Sequence, residues 1–222
     1  LATKILIIGN SGSGKSTAIR NLPKEKTGII RIINKRLPFR EAGFKIFDSD
    51  DYTKIKHTLK NSKASIIVID DVQYLLANEF MNRATEKGYE KFTTLAYNFW
   101  DLLNTIDKLP DHKTVYLLSH IEQDGDREKF KTIGKLLDEK ITIEGLFTIV
   151  LKTVVKDGAP ETEKYFFATK NNGKDTVKSP FGLFANDRIP NDLAEVDKAV
   201  REFYGINEPV TENQPTDKET SQ

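Results

Sequence analysis

The chain has 222 residues, 38% hydrophobic and 30% charged, with a formal net charge of +1 and no cysteine. That length suits one well-buried α/β domain and is short for two. The absence of cysteine excludes a disulfide framework or thiolate metal site, the near-neutral charge argues against a generic polyanion binder, and no apolar run approaches the roughly 20 residues of a membrane span.

The first predicted element is a buried strand, Lys4-Ile5-Leu6-Ile7-Ile8, which runs directly into Gly9-Asn10-Ser11-Gly12-Ser13-Gly14-Lys15-Ser16-Thr17. This is a complete G-x-x-x-x-G-K-[ST] phosphate-binding pattern, and it predicts a nucleoside triphosphate as ligand. Its glycines let the backbone turn tightly and aim N–H groups inward, Lys15 reaches the β and γ phosphates, and the Ser16 hydroxyl suits Mg²⁺. A helix is predicted over 16–22, stopping at Pro23, with the positive end of its dipole toward the loop. Further strands are predicted over 28–33, 64–69, 114–119 and 146–155. Most of them are continuous apolar runs, which suit a parallel sheet covered on both faces, and the stretches between them serve as right-handed crossover helices. The expected fold is therefore a doubly wound, mostly parallel α/β sheet.

Asp48, Asp50 and Asp51 precede a helix predicted from Tyr52, where capping explains them better than metal binding. Over 92–108, Phe92, Leu95, Ala96, Phe99, Leu102, Leu103 and Ile106 recur at helical spacing, so this helix is expected to pack on the core, and Trp100 beside the stripe reads as packing rather than a nucleotide stack. The strand over 146–155, Asp157-Gly158 and residues 164–169 read as a C-terminal hairpin around an Asp-Gly turn, extending the sheet antiparallel at one edge. A last amphipathic helix spans 193–204 with Gly205 placed to cap it. The core is expected over 1–205 and a disordered polar tail over 206–222.

Ser65-Ile66-Ile67-Val68-Ile69-Asp70-Asp71 brings two carboxylates to the edge where open α/β sheets bind ligands, as in a Walker B strand. Asp70 is the candidate Mg²⁺ ligand, and Asp71 a candidate base or orienter of the attacking water. The strand over 114–118 ends in Ser119-His120, so His120 is a third candidate, donating to phosphate or water; a structural histidine is the alternative. His57 and His112 read as surface residues. No Asn-Lys-x-Asp guanine-reading motif occurs, which favours ATP over GTP.

The order of phosphate loop, Asp-Asp strand, Ser-His strand end, polar stretch with Thr132-Ile133-Gly134-Lys135 and C-terminal hairpin resembles RecA-like P-loop ATPases. More narrowly, it resembles the small phage-encoded AAA-family/RecA-like nucleotide-binding proteins of the single-strand-annealing recombinase group. The resemblance implies ATP-dependent work on single-stranded DNA in the host cytoplasm, by a head-to-tail homo-oligomer with ATP between neighbours. It also implies a DNA-binding loop after the Ser-His strand, with Lys129, Lys131 and Lys135 as candidates beside Arg127 and Phe130; a solvated charged connection is the alternative, since Asp124, Asp126 and Glu128 dilute the field. Lys170 and Lys174, with Lys178 nearby, become candidates for reaching a neighbour's γ phosphate.

One departure stands out. Where RecA-like enzymes place a catalytic glutamate, Ile32-Ile33 is followed by Asn34 and Lys35, and no glutamate occurs before Glu41. Either Asp71 takes over or hydrolysis is slow. Lys35, Arg36 and Arg40 read as a surface cluster. Two rivals remain: a nucleotide-gated binding module with little hydrolysis, and a nucleotide or small-molecule kinase, for which Arg83, Arg127 and Arg188 are too scattered to form a lid.

Overall fold

Alternation along a strand sends successive side chains to opposite faces, so a strand apolar at every position needs cover on both sides. The central strand β1 (Thr3–Gly9) follows this rule. Leu6 and Ile8 enter one core and Ile5 and Ile7 the other, all fully buried. The computed structural model describes residues 1–134 and 136–207. Parallel to β1 on one side runs β5 (Thr114–Asp124), then β4 (Ile66–Asp70), β2 (Thr27–Arg31) and β3 (Lys45–Asp48). On its other side lie β7 (Ile149–Val155), parallel, then β8 (Tyr165–Ala168) and β9 (Arg188–Pro190), antiparallel. The result is a mostly parallel sheet in the order β3-β2-β4-β5-β1-β7-β8-β9, with β6 (Arg127–Phe130) paired antiparallel to the far end of β5.

Three helices cover one face: α1 (Tyr52–Asn61), α2 (Tyr74–Asn82) and α3 (Glu90–Asp107). They bury Ile55, Leu59, Leu75, Leu76, Phe99 and Leu102 against Leu6, Ile30, Ile67 and Leu117. The other face is covered by the short helix after the glycine loop and by α5 (Leu193–Tyr204), through Ala18, Ile19, Leu193, Val196 and Val200. Asp51 caps α1, accepting from the N–H groups of Thr53 and Lys54 at 2.8 and 3.2 Å. Asp48 pairs instead with Arg31, and Asp50 accepts from Asn78. Gly205 adopts φ +63°, and the N–H of Ile206 returns to the Arg201 carbonyl, closing α5 as its sequence predicts.

Several expectations need correction. The helix after the glycine loop is a single 3-10 segment, Ser16–Asn21, too short to supply much of a dipole. Leu146 ends a 3-10 turn (Ile143–Leu146), so the strand predicted from 146 begins at Ile149. β7 and β8 do pair antiparallel, but Val155 faces Tyr165 and the connection contains a one-turn helix, α4 (Glu161–Lys164), so Asp157-Gly158 is not a two-residue hairpin turn. Residues after Ser119-His120 form a β5–β6 hairpin rather than a polar loop. Trp100 is 40% exposed beside Tyr97, not packed in the core. Strands β3, β6 and β9 carry no apolar run that predicts them. The predicted tail, from 208 onward, lies outside the described residues. No helix among the described residues is long and apolar enough to cross a membrane.

Candidate functional site: a glycine loop at the carboxyl edge of the sheet

The loop after β1 needs its glycines for two different reasons. Gly12 and Gly14 sit at φ +75° and +93°, where a side chain is strained, whereas Gly9 is required by close approach. A Cβ on Gly9 would stand 1.9 Å from Thr153 Oγ1 of β7 and 2.7 Å from Ser13 Oγ. Ser13 Oγ donates to the Asn10 carbonyl at 2.7 Å and shares a 2.5 Å bond with Thr153 Oγ1, so the loop is closed on itself and held against β7.

Lys15 projects into this loop, 5% exposed, and its Nζ donates to the carbonyls of Gly9 and Asn10 at 2.9 and 2.8 Å. Burial lowers its pKa to about 8, against the opposing pull of Asp71 and Asp70. Next along the chain, Ser16 Oγ donates to both oxygens of Asp70, at 2.9 and 3.0 Å. Asp70 ends β4, is 2% exposed, and has its pKa raised to about 6 by burial and then by the adjacent Asp71 charge.

Asp71 turns the chain sharply out of β4 at φ +61°, a conformation aspartate tolerates better than most side chains. The turn points its carboxylate between two partners. Lys35 pairs with Oδ2, and His120 Nε2 lies 3.4 Å from Oδ1. Burial pushes the Asp71 pKa up, but the His120 and Lys35 bonds outweigh it and hold it at about 2. The neighbouring carboxylates are thus driven in opposite directions, the one beside Ser16 upward and the one between Lys35 and His120 downward.

His120 reaches the site because β5 lies between β1 and β4 and places His120 opposite Gly9 in register. Its backbone N–H donates to Gln73 Oε1 at 3.2 Å, and its ring meets the Tyr74 ring edge-on at 6.2 Å. The Ser119 hydroxyl turns away to the His120 carbonyl.

Lys35 corrects the surface assignment made for it. Though its side chain is half exposed, it crosses from the end of β2 to Asp71. Its place at the carboxyl edge, where a glutamate was expected, was the available signal. Gln73 and Thr153 were also missed, and neither carries a sequence signal. Glu41 accepts from Arg31 at 3.2 Å and from the Leu37 N–H, and so belongs to a different network.

The remaining candidates lie apart. Lys129 is paired with Asp124 at 3.0 Å and lies 3.9 Å from Glu122. Phe130 is buried against Phe99, which removes it as a base-stacking surface. Lys131 is exposed at the root of the hairpin, its N–H bonded to the His120 carbonyl at 3.1 Å, and Lys135 lies outside the described residues. Lys170 pairs with Asp187 at 2.6 Å, Lys174 is exposed with its carbonyl bonded to the Glu128 N–H, and Lys178 bridges to Val150. Arg83 pairs with Glu79 and Glu86, while Arg188 stacks on Phe166.

A cavity of about 520 Å³ lined by Lys4, Asp107 and Tyr204 lies at the amino end of β1. Lys4 is already paired there with Asp107 at 2.5 Å, and the cavity lies at the opposite end of β1 from the glycine loop. Among the described residues no group of three or more His, Cys, Asp or Glu side chains could hold a metal ion by itself. Ser16 and Asp70 nevertheless fit Mg²⁺, which takes one or two protein oxygens and completes its shell with phosphate and water. Comparison with models of known protein families and with curated protein sequences gives no match.

Proposed function

We propose that this chain binds Mg·ATP and hydrolyses it in the manner of RecA-like P-loop ATPases, and that turnover serves annealing or recombination of single-stranded DNA by a phage-encoded homo-oligomer in the host cytoplasm. One observation carries the nucleotide reading: the buried Lys15 ammonium lies inside a glycine loop whose next residue, Ser16, is bonded to Asp70. A buried cation and a buried carboxylate, both shifted toward neutrality, are the charges that a phosphate and a divalent cation would compensate.

In this mechanism the loop N–H groups and Lys15 take the β and γ phosphates, and Ser16 with Asp70 holds Mg²⁺. The ion supplies charge neutralisation on the phosphate oxygens. Asp71, held at a pKa of about 2, is a weak base, so it orients the attacking water rather than removing its proton at the outset. His120, fixed by Gln73 and Tyr74, donates to the γ phosphate or to that water.

The DNA and oligomer readings rest on the resemblance, with Lys131 as the exposed cation joined by backbone to His120. The pairing of Lys35 with Asp71 favours a second reading, a nucleotide-gated binding module that hydrolyses slowly. Calorimetry with Mg·ATP and turnover measured with and without single-stranded DNA separate the two. ATP binding with DNA-stimulated turnover supports the ATPase, binding without turnover supports the module, and no binding removes both. Changing Lys129, Lys131 and Lys135 together to alanine is expected to weaken DNA binding and reduce its salt dependence; unchanged affinity and slope remove this segment as the DNA contact.

A further inference from the structure

Four charged side chains converge at the carboxyl edge of the sheet: Lys15 from the phosphate loop, Asp70 and Asp71 from the end of β4, and Lys35 from the end of β2. The two ammonium groups are close enough to repel each other, and each is also attracted by both aspartates. Lys15 is held in the loop by two of its three donors, given to the Gly9 and Asn10 carbonyls, which leaves one for an anion. Lys35 is different. It is half exposed, it stands on the 13-residue connection between β2 and β3, which forms no helix or strand, and its ammonium meets the site through Asp71.

From this juxtaposition we infer that Lys35 is a ligand of the terminal phosphate, a second cation that distinguishes a nucleoside triphosphate from a diphosphate. The inference rests on the phosphate-loop reading and extends it to a residue outside that motif. An anion entering between Lys15 and Lys35 relieves their mutual repulsion and gains two charge-assisted hydrogen bonds. Asp71 Oδ1 keeps His120 Nε2 at 3.4 Å when Lys35 turns to phosphate, and the buried Oδ2 that Lys35 leaves is the oxygen that accepts from the water Asp71 orients. A diphosphate ends short of this second cation and gains nothing from it. The flexible four-carbon stem of lysine suits such an exchange of partners.

The test is calorimetric binding of Mg·ADP and of the Mg²⁺ complex of a non-hydrolysable ATP analogue. Relative to the unsubstituted protein, Lys35→Gln is expected to weaken the triphosphate by about 10-fold or more, the effect of one charge-assisted bond, and to leave the diphosphate within about twofold. Lys35→Arg, which keeps the charge, recovers most of the loss. Repeating Lys35→Gln in an Asp71→Asn background separates direct contact from an effect routed through Asp71. A triphosphate-selective loss that persists there supports contact with phosphate. An equal loss for both nucleotides, no loss, or a loss that vanishes in the Asp71→Asn background overturns the inference. Lys15→Ala serves as the control for the underlying reading: if it leaves both nucleotides bound as before, the phosphate loop is not the site, and this assignment falls with it. If Lys15→Ala abolishes binding while Lys35→Gln changes nothing, only the Lys35 assignment fails.

Discussion

Binding of Mg·ATP is expected to follow a bell-shaped pH profile whose limbs come from Asp70 and Lys15. Without nucleotide, Asp70 has a pKa of about 6 and Lys15 of about 8. Mg²⁺ requires the carboxylate, so protons compete with the metal below the Asp70 value. Affinity then falls by about tenfold between pH 7 and pH 5 from this group alone. Phosphate requires the ammonium, so loss of the Lys15 proton removes a charge above its own value, again by about tenfold between pH 7 and pH 9. The optimum therefore lies near neutrality. Calorimetry of Mg·ATP across this range, with the titration of free ATP subtracted, reads both limbs. Asp70→Asn assigns them: it should weaken binding at every pH, flatten the acid limb, and move the alkaline limb downward, because Asp70 is one of the charges that keep Lys15 protonated. An acid limb that survives Asp70→Asn unchanged, or a flat profile throughout, would falsify the charge assignments at this site.

The same shift predicts a stability effect of opposite sign to the binding effect. The folded-state pKa of Asp70 is raised from 3.8 to about 6, so its ionised burial opposes folding above about pH 6, by about 3 kcal/mol, and this cost disappears as pH falls through the ordinary carboxylate range. Asp70→Asn, which can still accept from Ser16, should therefore raise Tm at pH 7.5 by about 6–12 °C in the nucleotide-free protein; a lowered Tm contradicts this account. Asp71→Asn should leave Mg·ATP bound and lower turnover by about 100-fold or more, seen as a fall in kcat at nearly constant Kd, and undiminished kcat transfers the water-orienting role elsewhere. Gly9→Ala drives a methyl group into Thr153 Oγ1 and should cost about 1–3 kcal/mol in chemical denaturation, with part of the loss recovered by adding Thr153→Ala; strict additivity of the two changes excludes the clash as the cause.

Local pattern revealed the glycine loop after β1 because its requirements are local: glycines at particular backbone angles, a lysine at fixed spacing and an apolar strand leading in. The parallel strands around β1 were legible for a related reason, since burial on both faces leaves uninterrupted apolar runs. The helix α5 announced both its stripe and its glycine cap. Strand β6, Arg-Glu-Lys-Phe, had no such signature, because its pairing with β5 depends on backbone bonds and one buried phenylalanine rather than on an apolar run. The short edge strand β3 is likewise defined by its neighbour β2.

What the sequence determined by itself was the chemistry within reach of a few consecutive residues: a cation and hydroxyl after a glycine loop, and two carboxylates at a strand end. The tertiary structure decided which of these groups meet and with what charge. Asp70 and Asp71 are adjacent in the chain, yet one turn of backbone at Asp71 sends one carboxylate to Ser16 and the other to Lys35 and His120. Those partners come from separate parts of the chain: the segment after β1, the connection after β2, and β5 itself. Sequence periodicity reports which face a side chain occupies but not what stands opposite it, and the electrostatic character of each group depends on that opposite partner.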